Sequence, residues 1–121
     1  MLNPEITIIN LTPHAINFKN TDGVDYTFLP SGQVARCASE EKEDFFASVA
    51  LGLPVVKITP GKIEGLPEPV QFGHIIYLVS SMVAQHPDVA KIRGDVMAPN
   101  TGSTAIRENG QIVAVRSFQR F

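Results

Sequence analysis

Residues 95–121, DVMAPNTGSTAIRENGQIVAVRSFQRF, read in two parts. Residues 95–104 are rich in Pro, Asn, Gly, Ser and Thr and offer almost no apolar side chain for burial. Residues 104–108 (TAIRE) and 111–116 (QIVAVR) then alternate in character, and Asn109-Gly110 joins them. Asn-Gly is the strongest short-range hairpin signal, because a type I′ turn needs φ > 0 at both central residues. The expectation is a polar loop feeding a rigid hairpin. Arg107, Arg116 and Arg120 lie close to it, which makes the region a candidate holder of an anion.

Upstream, nine prolines and nine glycines in 121 residues cut the chain into short pieces and favour strands and turns over a helix bundle. Strands are expected at residues 5–10 (EITIIN), 15–18 and 24–29, the last two joined by an Asp22-Gly23 turn. Residues 33–38 alternate, with Val34, Arg36 and Ala38 on one face and Gln33, Ala35 and Cys37 on the other. Residues 39–50 (SEEKEDFFASVA) read as a short helix capped by Ser39, with its acidic residues in the first turn and Gly52 ending it. Residues 54–59 form a strand, Pro60-Gly61 a turn, and 62–64 a return; residues 65–70, with Pro67 and Pro69, are an extended connection. Residues 75–79 (IIYLV) have the continuous apolar character of a strand buried on both faces. Ser80-Ser81 can cap a helix that restarts around Pro87 and ends at Gly94, the expected central helix.

The composition is that of one folded domain over residues 1–121: 44% hydrophobic, 18% charged, net charge −2. No global positive field draws DNA or RNA polymers, so an anion would have to be held by a local cluster of arginines. One cysteine, Cys37, excludes an intrachain disulfide, and the expected compartment is reducing. The first residues lack a signal-peptide pattern and no apolar run could span a bilayer, so the expectation is a soluble intracellular protein with no membrane partner.

Catalytic and metal chemistry find little footing. His14, His74 and His86 stand far apart, none at metal-ligand spacing with another His or Cys, so no metal or cofactor is expected. No nucleophile elbow, phosphate-binding loop or dinucleotide fingerprint occurs. What remains is the C-terminal region. The Asn100 amide can read an adenine edge, and Thr101, Ser103 and Thr104 offer hydroxyls. The backbone around Gly102 can form an anion nest, and Arg36, Arg107 and Arg116 can fork onto phosphate. The alternative is a turn-rich loop whose Asn and Ser cap their own backbone.

An ordered series of segments runs through the chain: INLTPHAI, LPSGQVARC, GLPEPV, IIYLVSSMVAQ, DVMAPNTGSTAIR and ENGQIVAVRSF. It resembles the first family of phage Thoeris anti-defence proteins, from about Ile8 to Phe118. The resemblance implies an α+β fold, an antiparallel β-sheet wrapped around one central α-helix, with a C-terminal β-hairpin extension used in oligomerisation. It implies dimers and trimers of dimers that sequester glycocyclic ADP-ribose without cleaving it, in the cytoplasm of an infected bacterial host. Some members also bind cyclic trinucleotides at separate sites. Asn100 would then meet the base of the ADP-ribose ligand, with Thr101 and Gly102 beside it, and Arg36 and Arg116 would meet the pyrophosphate. Arg116 and Arg120 would serve a cyclic-trinucleotide site. No aromatic lies between His86 and Gly94 to stack on the base, which leaves Val89 or Met97 as an apolar platform. Two other classes stand beside a sequestering protein: an enzyme degrading the same signals, with His14 and His74 as acid and base, and a protein-interaction module.

Overall fold

The strand expected at residues 75–79 is the centre of the molecule. In the structure, a computed structural model that describes residues 2–69 and 74–121, β6 (Ile75–Leu78) lies between β1 (Thr7–Asn10) and β7 (Val96–Pro99) and runs parallel to both. A two-residue strand, β10 (Phe118–Gln119), closes this sheet antiparallel to β7. The sheet is covered on both faces, as its apolar central strand requires. Tyr77, Val79, Val96 and Ala98 pack into one core cluster with Leu11, while Ile76, Leu78 and Met97 pack into a second with Ile16 and Val115.

This arrangement corrects the expected fold. The sheet is mixed, with its three main strands parallel, and it wraps around no central helix. The helices among the described residues are α1 (Phe45–Leu51) and α2 (Ser81–Ala84), of seven and four residues. Parallel neighbours cannot be joined by a tight turn and need a crossover. Residues 79–95 provide that crossover between β6 and β7. Ser80 caps α2 as expected, its Oγ accepting from the Val83 N–H at 3.4 Å. The helix then stops short, because His86 precedes Pro87 and a residue before proline is disfavoured in the α region. Residues 95–104 also read differently in three dimensions. Val96 and Ala98 are buried in a central strand, and the polar loop begins only at Asn100.

Residues 39–43 belong to a strand instead of a helix. β4 (Arg36–Glu43) pairs antiparallel with β5 (Val56–Glu64) almost throughout, so the acidic side chains alternate along a ladder. The cap of α1 is therefore Asp44, whose carboxylate accepts from the Ala47 N–H at 3.0 Å; Gly52 ends the helix with φ 83°. Pro60-Gly61 is no turn either. β5 runs through it, with the ladder shifted between Cys37 and Ser39. A Cβ on Gly61 would lie 2.6 Å from the Ala38 carbonyl oxygen, so only glycine allows the two backbones to approach here. Residues 65–69 form the expected irregular connection; Val70 lies outside the described residues.

The opposite face carries two hairpins. β2 (Ile16–Lys19) and β3 (Asp25–Phe28) pair around the Asp22-Gly23 turn, where Asn20 Oδ1 accepts from the Asp22 and Val24 N–H groups. β8 (Ile106–Glu108) and β9 (Gln111–Ala114) pair around Asn109 (φ 53°) and Gly110 (φ 79°), the conformation the Asn-Gly pair foretells. The root of this second hairpin folds onto its own chain. Lys19 N–H donates to the Val115 carbonyl at 3.0 Å, Val115 N–H donates to the Asn17 carbonyl at 2.8 Å, and Ala114 and Val115 are buried.

Candidate functional site

Three parallel strands deliver their following residues to one edge of the sheet. β1 leads to the Thr12-Pro13-His14 turn, β6 to Ser80, and β7 to Asn100. Ligands of open sheets with parallel strands bind beyond the carboxyl ends of those strands, so this edge is the first place to look for a site.

The turn after β1 is built by a buried amide. Asn10 Nδ2 donates to the carbonyls of His14 and Phe28 at 2.8 and 2.9 Å, and its Oδ1 accepts from the Thr12 N–H and Oγ1 at 2.9 and 2.7 Å. Every polar atom of that side chain finds a partner inside the fold, as burial demands. Pro13 and Ser80 then line an open hollow of about 640 Å3 together with Arg36, Lys62 and Met82. Arg36 sits exposed at the start of β4, in register with Glu64. The alternation read from the sequence is visible here, with Ala35 and Cys37 turned to the core and Arg36 outward.

The loop after β7 is braced from both sides. Asn100 N–H donates to the Ser117 carbonyl at 3.0 Å, and Asn100 Nδ2 donates to Ser117 Oγ at 3.1 Å. Asn100 Oδ1 accepts from the Gly102 N–H at 3.1 Å. The Arg107 guanidinium donates to the Thr101 and Gly102 carbonyls at 3.0 and 3.2 Å. Part of the amide read from the sequence as a base reader thus shapes its own loop, and Arg107 clamps that loop. Among the described residues one Nδ2 hydrogen and one Oδ1 lone pair of Asn100 have no partner. Thr101 also lines a hollow of about 330 Å3 with Pro99, Ile112 and Val113.

Arg116 immediately precedes Ser117, and since Phe118 stands opposite Pro99 it lies at the same edge as Asn100. It is exposed, and among the described residues neither its guanidinium nor those of Arg36 and Arg120 has a hydrogen-bonding or ionic partner. Of the residues singled out in the sequence, hydrogen bonds tie Asn100 to Gly102 and Ser117 and tie Arg107 to Thr101 and Gly102, while Arg116 adjoins Ser117 along the chain. Arg36 stands at the same edge of the sheet, in the neighbouring hollow. Arg120 does not join them. It follows β10 at the opposite end, with Nη2 3.7 Å from where a Cβ of Gly94 would stand. Val89 is buried in one core cluster and is closed to a base, whereas Met97 is half-buried on the other face.

His14 and His74 are exposed and on separate segments. No group of three His, Cys, Asp or Glu side chains comes together among the described residues. Two polar constructions escaped the sequence reading. His86 is buried; its Nε2 lies 2.8 Å from the Gly61 carbonyl and its Nδ1 3.1 Å from the Asp88 backbone nitrogen. Arg93 grips Asp95 with two bonds of 2.9 and 3.0 Å and donates to the Pro67 carbonyl at 2.9 Å. These bonds hold the Asp95 carboxyl below its ordinary range and raise the Arg93 guanidinium. The Arg-x-Asp spacing was the available signal for the second; nothing in the sequence pairs His86 with Gly61.

Fold and edge together define a small β-rich protein with a polar, cation-bearing rim at the ends of parallel strands. In comparisons with known proteins, no family model, no curated protein and no solved structure matches this chain. No helix among the described residues is long and apolar enough to cross a membrane.

Proposed function

We propose that this protein binds and sequesters, without cleaving, small signalling nucleotides: glycocyclic ADP-ribose first, and cyclic trinucleotides as a second class. It would act as a viral anti-defence protein in the cytoplasm of an infected bacterium, assembled as a dimer or a trimer of dimers. The observation that supports this reading is the shared edge. The braced Asn100–Gly102 backbone and Arg116 stand beyond the carboxyl end of β7, and Arg36 lines the neighbouring hollow of about 640 Å3, a nucleotide-compatible volume, with Pro13 and Ser80 from beyond β1 and β6. Arginine forks suit phosphate oxygens, and a loop already held by internal hydrogen bonds loses little entropy on binding. Arg120, at the other end of β10, belongs to a different surface and is the candidate for the second ligand class.

The test is retention and release. Purified protein is incubated with glycocyclic ADP-ribose, freed of unbound ligand by filtration, and heated. Intact ligand recovered from the heated protein is the expected result. Ligand consumed during incubation would instead mean an enzyme, with His14→Ala and His74→Ala as the next variants. Ligand passing straight through, for both nucleotide classes, would overturn the proposal in favour of a protein-interaction module.

A further inference from the structure

Asn-Gly occurs once in the sequence, at Asn109-Gly110, and the structure sets this asparagine apart from the others. An asparagine carboxamide is open to attack by the backbone nitrogen of the next residue, which closes a cyclic imide. The reaction needs a following nitrogen that carries a hydrogen, room around that nitrogen, and a carboxamide free to turn toward it. Asn3 fails at once, because Pro4 has no N–H. Asn10 is buried, with every polar atom of its carboxamide engaged. Asn17 Nδ2 donates to the Val113 carbonyl, and its Oδ1 accepts from Thr27 Oγ1. Asn20 Oδ1 accepts from the Asp22 and Val24 N–H groups, and Asn100 Oδ1 from that of Gly102. Asn20 and Asn100 are each followed by a β-branched threonine, which crowds the nitrogen.

Asn109 meets every condition. It is exposed at the hairpin tip, and its carboxamide has no hydrogen-bond partner among the described residues. The Gly110 N–H donates to no acceptor among the described residues, and a Cβ on Gly110 would meet nothing within 4 Å. The backbone is also poised. Asn109 has φ 53°. Turn types I′ and II′ share a positive φ at this position and differ by a flip of the peptide between the two central residues. Glycine in the second position permits both. The flip turns the Gly110 nitrogen toward the Asn109 Cγ while the strands stay paired, since both turns suit a two-residue hairpin.

We propose that Asn109 is a site of self-modification, at which the Gly110 nitrogen displaces ammonia from the carboxamide and water then opens the imide to a carboxylate. In the first step the bond from the Gly110 nitrogen to the Asn109 Cγ forms and the Cγ–Nδ2 bond breaks. The proton of the attacking nitrogen leaves with the ammonia. In the second step water adds to one of the two imide carbonyls. Cleavage at Cγ leaves aspartate at position 109. Cleavage at the main-chain carbonyl leaves isoaspartate, with the chain routed through Cβ and Cγ. No oxidant or cofactor enters. Either product sets a new carboxylate beside Glu108. Isoaspartate also adds a main-chain carbon to the turn that keeps Glu108 opposite Gln111 and Arg107 opposite Ile112. Arg107 holds the Thr101 and Gly102 carbonyls, so a change at the tip reaches the Asn100 loop. The inference stands on the hairpin alone, whether or not a nucleotide binds.

The experiment is incubation of the full chain at mildly alkaline pH, with peptide masses mapped over time. Folded wild type, wild type in urea and Asn109→Gln are compared. Folded wild type is expected to show the mass gain of an amide-to-carboxylate exchange at residue 109 ahead of every other asparagine, with release of ammonia. Part of that product should resist a protease that cuts before aspartate, as isoaspartate does. Asn109→Gln, whose longer side chain must close a larger ring, should remain unmodified at 109 and keep its thermal midpoint while the aged wild type melts lower. Absence of conversion in the folded chain, whatever happens in urea, overturns the inference. Equal conversion at Asn20 or Asn100 overturns the selection of Asn109. A fully converted chain that melts like fresh protein overturns the link from the tip to the Asn100 loop.

Discussion

Arg116, exposed beside the Asn100–Ser117 joint and without a side-chain partner among the described residues, carries the sharpest expectation for a single residue. If it closes on a phosphate in the complex, Arg116→Ala should weaken glycocyclic ADP-ribose binding by about 2–5 kcal/mol. Calorimetric titration measures this, and a loss of less than tenfold would count against the assignment. His86 shows the opposite kind of residue, polar but turned inward. Its ring links the end of α2 to Gly61 of β5 and accepts from the Asp88 N–H. His86→Ala would strand two backbone groups and leave a void, at a cost of about 2–4 kcal/mol in urea unfolding. A much smaller loss would mean that water replaces the imidazole at both ends.

At the level of the element, the hairpin of β8 and β9 depends on two residues at positive φ. Gly110 has φ 79° and open space around its Cα, so a side chain there meets no clash, only an unfavourable backbone conformation. Gly110→Val should therefore lower stability by roughly 1–2 kcal/mol, and Gly110→Asn by clearly less, because Asn tolerates that region. Equal thermal shifts for the two variants would mean that the turn has refolded into another type. The short helices illustrate how an element can be legible and still misjudged. Ser80 caps α2 and Gly52 ends α1, as their types announce. Ser39 also resembles a cap, but it lies in a ladder opposite Pro60, and pairing with a residue 21 positions away leaves no trace in local sequence.

For the molecule as a whole, stability should depend on acid through one defined pair. Asp95 titrates below its ordinary range in the folded chain, chiefly because Arg93 donates to it. The unfolded chain therefore takes up this proton first as the pH falls. The contribution is complete above the ordinary carboxylate value of about 3.9 and is lost as pH drops through the lower folded value. Arg93 is shifted upward from an already high value, so its share is constant through neutral pH. Urea midpoints measured from neutral pH to below about pH 4 should fall more steeply for wild type than for Asp95→Asn. Parallel curves would show that other carboxylates govern acid unfolding.

Whatever depends on neighbours along the chain was legible in the residues alone. The Asn-Gly and Asp-Gly turns, the apolar core strand at residues 75–79 and the inward and outward alternation around Arg36 all follow from backbone preference and side-chain period. The direction in which strands pair came from long-range packing instead. Parallel and antiparallel partners present the same apolar face, and β1, β6 and β7 are brought together by chain segments far apart in sequence. Long-range packing also decided that Val96 and Ala98 are core instead of loop, that Arg107 clamps its own backbone, and that Arg120 stands away from Arg116. Each of these follows from contacts with residues that composition and spacing do not bring together, and the energy of burying the central sheet outweighs the local preferences that conflict with it.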